Sequence, residues 1–283
     1  MRNETEMMDL ILGTAQEDDR IRAVWMNGSR VNPNVKRDIM QDFDVVFAVK
    51  EIDSFQEDTD WIDRFGERVI MQKPSPSPWQ NENHALTYLM QFQDGNRIDL
   101  NLVPTNKVSG IMKATESLTE ILLDKDGLTP ELPPPSDRDY HVPKPSEKEF
   151  QATCNEFWWV TPYVAKGLWR EEVLYAKGVL EGPLRHALMN MLDWSIAIDY
   201  DFKISTGKFS KDLKDLLDEP TWNRLIDTFP KAHLEEIWQA LEMMGDLFHD
   251  TAVSCAERLG FIYNESEEQH VREYIKRIRN NDM

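Results

Sequence analysis

Three aspartates and one small-residue turn are the groups in this chain whose types and spacing could do chemistry. Gly28-Ser29 is followed, after twelve residues, by Asp42-Phe43-Asp44. The run from Asp42 to Val49 is rich in Val and Phe and bounded by polar segments, which reads as a buried strand. Strand side chains alternate, so Asp42 and Asp44 share one face while Phe43, Val45 and Phe47 take the other. Two carboxylates side by side repel unless a cation sits between them. Magnesium suits that place, because it prefers hard oxygen ligands and reaches proteins through one or two carboxylates plus substrate phosphates. Gly28 lets the backbone approach a ligand closely, and Ser29 adds a hydroxyl and an N–H that suit a phosphate. A Gly-Ser pair alone is an ordinary turn; the downstream aspartates give it weight. Asp99 is the third acid. In Arg97 to Val103, Ile98, Leu100 and Leu102 share one face, and Arg97, Asp99 and Asn101 share the other. A half-exposed hairpin alternates the same way, so Asp99 counts only together with the pair.

The elements that must position these groups follow from periodicity and punctuation. A helix is expected over 4–16, a short strand over Ile21–Met26 and a polar connection over 30–41 with an Asn32-Pro33-Asn34 turn. Phe55, Trp61, Ile62, Phe65, Val69 and Ile70 predict a helix over 54–71, and Pro74, Pro76 and Pro78 a surface loop. A strand over Ala85–Phe92 leads through Asp94-Gly95, a hairpin signal, into the strand carrying Asp99. From Thr129 to Pro145 six prolines and few apolar residues predict a semi-rigid linker. The expected organisation is therefore a first domain over 1–135, a linker over 136–146 and a helical domain over 147–283. Within the last, helices are expected over 147–163, 169–179, 183–200 with Pro183 in the first turn, 231–259 and 266–279. No internal repeat is present.

Charge narrows the partners. Net charge is −19, and both sides of Ser146 are acidic, with 26 acids against 16 bases before it and 25 against 16 after it. Nucleic acid is not expected as the main partner, since polyphosphate needs a basic footprint. Acidic clefts concentrate cationic small molecules; the plainer reading is that the charge keeps the protein soluble. Cys154 and Cys255 are too few for a zinc cluster or a disulfide framework and read as buried free thiols. The N-terminus is polar, and no apolar run approaches the ~18 residues a membrane span needs, so a soluble cytoplasmic protein with no membrane partner is expected. The six histidines show no ligand spacing, and no Gly-x-Ser-x-Gly elbow or Walker phosphate loop occurs.

Gly-Ser, a polar spacer, Asp-x-Asp on a strand and a third acid on a neighbouring strand resemble the signature of the nucleotidyltransferase superfamily, the DNA polymerase β-like fold. The resemblance extends further. Asn27-Gly28-Ser29-Arg30, Gln41-Asp42-Phe43-Asp44, Arg97-Ile98-Asp99-Leu100, Cys154-Asn155-Glu156-Phe157-Trp158-Trp159 and Leu174-Tyr175-Ala176-Lys177 resemble, in order and over nearly the whole chain, the bacterial aminoglycoside 6-adenylyltransferases that modify streptomycin. The resemblance implies an α+β catalytic domain, a mixed sheet with helices, joined to an all-helical bundle. It also implies transfer of AMP from Mg-ATP to a drug hydroxyl with release of pyrophosphate.

On that implication Asp42 and Asp44 hold the metal, expected as two ions. Asp99 lies beside the acceptor hydroxyl as metal ligand, general base or both. Gly28 and Ser29 meet the phosphates. Arg30 joins them as a charge, or else forms a structural ion pair. Lys177 is the expected cation for the leaving pyrophosphate, with Lys166 and Arg170 behind it; a plain helix-surface lysine is the alternative. The acceptor is expected between the domains. Its guanidinium groups would meet Glu156, Trp158, Trp159, Asp193 and Trp194, most of whose aromatics must be core, since adjacent Trp158 and Trp159 cannot both face one cleft. Another aminoglycoside, a lincosamide or a protein hydroxyl is the alternative acceptor, and a nucleotidyltransferase-like interaction protein without activity the alternative class. A monomer is the expected state.

Overall fold

A computed structural model of the protein describes residues 1–58, 60–72 and 86–282. The expected Pro74–Pro78 loop and Ala85 lie outside the described residues. Two compact units are resolved, Met1–Asp139 and Tyr140–Met283.

The first unit opens on α1 (Glu4–Glu17), whose N-terminus is closed by a reciprocal cap between Asn3 and Glu6 and whose Met7, Ile11 and Ala15 are buried. Then come β1 (Ile21–Asn27), a 3-10 turn over Gly28–Val31, β2 (Phe43–Val49), the short α2 (Asp53–Glu57) and a 3-10 turn over Trp61–Phe65. The unit continues with β3 (Arg68–Gln72), β4 (Leu86–Phe92), β5 (Arg97–Pro104), α3 (Val108–Lys113) and β6 (Thr119–Asp124). The strands form one mixed sheet in the order β3-β4-β5-β2-β1-β6, in which, among the described residues, only β2 and β5 run parallel.

The two faces of this sheet are covered differently. Phe43, Val45, Phe47, Ile98, Leu100, Leu102, Val24 and Met26 join one core with α1. On the opposite face, Trp25, Val46, Ala48, Val103, Val108 and Met112 form a smaller cluster that covers only part of the sheet. By alternation that second face also carries Asn27, Asp44 and Asp99, beyond the apolar cover.

The expected helix over 54–71 does not form. Gly66, at φ +117°, breaks the pattern, and Val69 and Ile70 belong to β3 with exposed side chains. The apolar spacing there comes from short turns that seat Phe55, Trp61 and Phe65 edge-on against one another. Neither α3 nor β6 was expected. The strand carrying the first aspartates begins at Phe43, so Asp42 stands at its mouth.

The second unit is helical. It contains α4 (Glu147–Trp169), α5 (Val173–Val179), α6 (Arg185–Asp199), α7 (Leu213–Leu216), α8 (Glu219–Asp227), α9 (Leu234–Leu259) and α10 (Glu265–Arg279). Ser146 and Glu149 cap α4 reciprocally. The helix runs through Pro162 to Trp169, past its expected end. Val160, Val164 and Leu168 keep one stripe in the core, and their burial offsets the roughly 3 kcal/mol an interior proline costs. Pro183 falls in a wide turn over Leu180–Leu184 just before α6, not in the helix's first turn. Gly260, left-handed at φ +74°, ends α9. Phe157 and Phe248 stack at 3.8 Å in the core. Both cysteines are buried and free, and burial pushes their thiols up to about 12. No helix among the described residues is long and apolar enough to cross a membrane.

Candidate active site

Strand register brings the acids together. Asp44 on β2 is the direct neighbour of Asp99 on β5, and Asn27 on β1 is the neighbour of Asp44 on its other side. Asn27 is in turn paired with Thr119 on β6, whose hydroxyl donates to Asn27 Oδ1 at 2.9 Å. A polar row thus crosses four strands at one end of the thinly covered face. Asp42, just ahead of β2, joins it from the strand mouth.

The turn after β1 closes on this row from one side. Gly28 has φ +79°, and a Cβ added there would collide with the Asp44 carboxylate. Its N–H donates to the Leu118 carbonyl at 3.2 Å, which ties the turn to the approach to β6. Ser29 follows in a half-buried position.

Arg97 fills the space among the acids. Its Nε and Nη2 each donate to one oxygen of Asp99, both at 2.8 Å, and Nε also lies 3.5 Å from Asp42 Oδ2. The bond to Asp99 holds the guanidinium above its ordinary value, and the charges of Asp42 and Asp44 add to that. Burial raises the Asp42 carboxyl above the usual carboxylate range; Arg97 pulls it down and Asp99 pushes it up again. Among the described residues no three carboxylate, imidazole or thiol groups are drawn together as a ready-made metal cage. Arg97, rather than a closed set of oxygens, offsets part of the charge. The all-carboxylate donor set, with Arg97 set among three acids, fits a hard divalent cation. Sequence reasoning gave Arg97 no role, although alternation alone places it two residues from Asp99 on the same strand face.

Three expected site residues take other places. Arg30 is 4% exposed. Its Nη2 and Nε donate to the carbonyls of Gln41 at 2.6 Å and Asp42 at 3.1 Å, and its guanidinium lies 3.6 Å from the Phe43 ring centroid. So placed, it fixes the backbone that carries Asp42. Lys177 on α5 donates to the Pro230 carbonyl at 2.8 Å and to Glu181 at 3.4 Å, a tie within the helical unit. Trp158 is 2% exposed, edge-on to Phe157 and Phe248, and its Nε1 donates to the Tyr263 hydroxyl at 2.8 Å. Trp158 is therefore core, and Trp194 is buried as well, whereas Trp159 next to Trp158 is 63% exposed.

Glu156 is exposed on α4, Arg170 is exposed just past its end, and Lys166 lies near the rings of Tyr163 and Tyr274. Asp193 on α6 is half-buried. One of its oxygens, Oδ1, is buried with no hydrogen-bond partner, and burial pushes the carboxyl up to about 6 against the pull of the Thr206 hydroxyl and His186.

The family model for streptomycin adenylyltransferase matches residues 1–278. The chain belongs to the streptomycin adenylyltransferase family. Its enzyme class is accordingly that of the nucleotidyltransferases. An aminoglycoside 6-adenylyltransferase of Campylobacter jejuni is 39% identical over 264 residues, 93% of this chain and 91% of the relative. One from Bacillus subtilis strain 168 is 36% identical over 95% of both. The crystal structure of an aminoglycoside 6-adenyltransferase from Bacillus subtilis superposes with a TM-score of 0.50 at 32% identity, covering 99% of each chain.

Proposed function

We propose that the protein transfers AMP from Mg-ATP to a hydroxyl of an aminoglycoside, the 6-position of streptomycin, and releases pyrophosphate. The observation that carries this reading is the register of β2 and β5, which sets Asp44 beside Asp99 next to a glycine turn packed against Asp44.

The reaction forms a bond from the acceptor oxygen to the α-phosphorus and breaks the bond from that phosphorus to the β-bridging oxygen, so pyrophosphate leaves. Such transfers depend on positioning and charge neutralisation more than on covalent chemistry by the protein. Asp42 and Asp44, with Asp99, are the residues that would hold divalent cations, and the cations supply charge neutralisation at the triphosphate. Ser29 contributes its hydroxyl and N–H to the phosphates. Asp99 accepts the acceptor's proton, for which a carboxylate within hydrogen-bond reach of the hydroxyl suffices. Arg30 holds the Gln41–Asp42 backbone in place during this. Lys177 can serve the pyrophosphate only by releasing Pro230.

In the helical unit, Glu156 and Asp193 are the proposed carboxylates for the drug's guanidinium groups, with Trp159 as the exposed aromatic. The orphaned oxygen of Asp193 supports this, because a guanidinium would supply the missing donor. Protein and labelled ATP with magnesium, incubated against a panel of aminoglycosides and lincosamides, test the reading. Label transfer and pyrophosphate release that depend on streptomycin support it; transfer to none of the drugs removes it.

A further inference from the structure

The fork of Arg97 on Asp99 belongs to the active-site cluster but has no place in the chemistry just described. A guanidinium stays charged at any pH the protein meets, so Arg97 cannot vacate its charge by losing a proton. It must either move or share oxygens when another cation enters. Its grip is uneven. Asp99 is held by two bonds of 2.8 Å, whereas Asp42 is approached by one atom at 3.5 Å. The Arg97 side chain is 39% exposed.

We propose that Arg97 is the counter-cation of the metal-free cluster: it holds Asp42 and Asp99 together until a divalent cation arrives, and it competes with that cation for their oxygens. The inference rests on the metal-dependent reading of Asp42, Asp44 and Asp99. Two consequences follow from elementary electrostatics. Without Arg97 the free cluster carries more net negative charge, since Arg30 alone still acts on Asp42, and the added repulsion destabilises the metal-free fold. For the same reason the cluster binds a divalent cation more tightly, since one competitor and one repelling charge are gone. Arg97 thereby keeps the site intact between turnovers and keeps its hold on metal loose. It is a positioning residue, because it acts through the aspartates.

The test uses the full-length chain without nucleotide and Mn2+ as the probe, with free Mn2+ read by electron paramagnetic resonance. Wild type, Arg97→Gln, Arg97→Lys and Asp44→Asn are compared, and each is also melted in EDTA and in Mn2+. Arg97→Gln is expected to bind Mn2+ about tenfold more tightly, the equivalent of ~1.4 kcal/mol. It should melt below wild type in EDTA and recover in Mn2+, which a merely structural loss would not do. Arg97→Lys keeps the charge without the fork and should shift in the same direction by less; it carries the comparison if Arg97→Gln does not fold. Unchanged or weaker Mn2+ binding in both variants, with wild-type binding lost in Asp44→Asn, overturns the role of Arg97 alone. Mn2+ binding that is absent from every folded protein overturns the metal reading of the cluster and this inference with it.

Discussion

Gly28 and Asp44 face each other so closely that a Cβ on the glycine would collide with the carboxylate Oδ2 and stand 3.1 Å from Cγ. The glycine is therefore fixed twice, by its left-handed backbone at φ +79° and by the acid that leans over it. Turn and carboxylate form one unit, and the position of Asp44 depends on the absence of a side chain one strand away.

Gly28→Ala should cost roughly 1–2 kcal/mol from the left-handed backbone, and it should also push Asp44 aside. A urea melt is expected to show a folded protein of reduced stability, with AMP transfer reduced by much more than the folded fraction. Wild-type turnover in a folded Gly28→Ala protein would mean that the placement of Asp44 is not needed.

Arg30 is held by the Gln41 and Asp42 carbonyls and the Phe43 ring. Arg30→Met keeps the bulk but leaves two carbonyls short of donors, which costs about 1–3 kcal/mol for each that stays buried. Arg30→Lys cannot reproduce the fork and should recover little. Chemical denaturation would reveal the loss. A protein of full stability with only a raised ATP KM would instead return Arg30 to the phosphates.

Asp193 gives a pH dependence with a definite sign. Its folded value of about 6 lies above the ordinary 3.8. Below pH 3.8 the group is protonated folded or unfolded, and it contributes no difference. As pH rises from 3.8 to 6 the unfolded chain ionises first, so stability falls, and above 6 the loss is complete. Asp193→Asn should therefore melt higher than wild type at pH 8 and equal to it near pH 3.5. The same substitution should raise KM for the aminoglycoside, because the proposed guanidinium partner is gone. Equal melting at pH 8 would contradict a buried, ionised carboxylate at this position.

Trp158 and Trp159 separate core from surface on adjacent residues. Trp158→Ala should cost about 3–5 kcal/mol through the cavity it leaves. Trp159→Ala should stay within about 0.5 kcal/mol of wild type in stability. Any change in acceptor KM belongs to Trp159; a change confined to a fully stable Trp158 variant would reverse that assignment.

The two acids of the polar row were legible because strand alternation is a strong signal. It put Asp44 and Asp99 on polar faces, and the Asp94-Gly95 turn fixed the hairpin that delivers Asp99. The parallel pairing of β2 with β5, which makes the two acids neighbours, leaves no local trace, since the pairing joins strands nearly fifty residues apart. The partners that Arg30 and Lys177 take in the fold were not legible, for a common reason. A cation beside a motif looks like a ligand, and only the folded chain shows that carbonyls such as those of Asp42 and Pro230 have already taken its protons. Adjacent tryptophans posed the same difficulty, since helical phase has to be known to within one residue before one can be called buried. The residues 54–71 misled because apolar residues spaced at three and four also arise from short turns packed edge-on. Arg97 was visible on the right strand face, but an arginine among acids reads as an ordinary surface pair until its fork on Asp99 is seen.

The most direct measurement is transfer of labelled AMP from ATP to streptomycin by wild type and by Asp42→Asn, Asp44→Asn and Asp99→Asn, each first shown to be folded by circular dichroism. Label on the drug is expected with wild type in the presence of magnesium, with a loss of at least about 100-fold in each variant, of the size that removing a positioned acid–base or charge-stabilising group produces. Near-wild-type transfer by the folded Asp44→Asn and Asp99→Asn proteins would contradict the account.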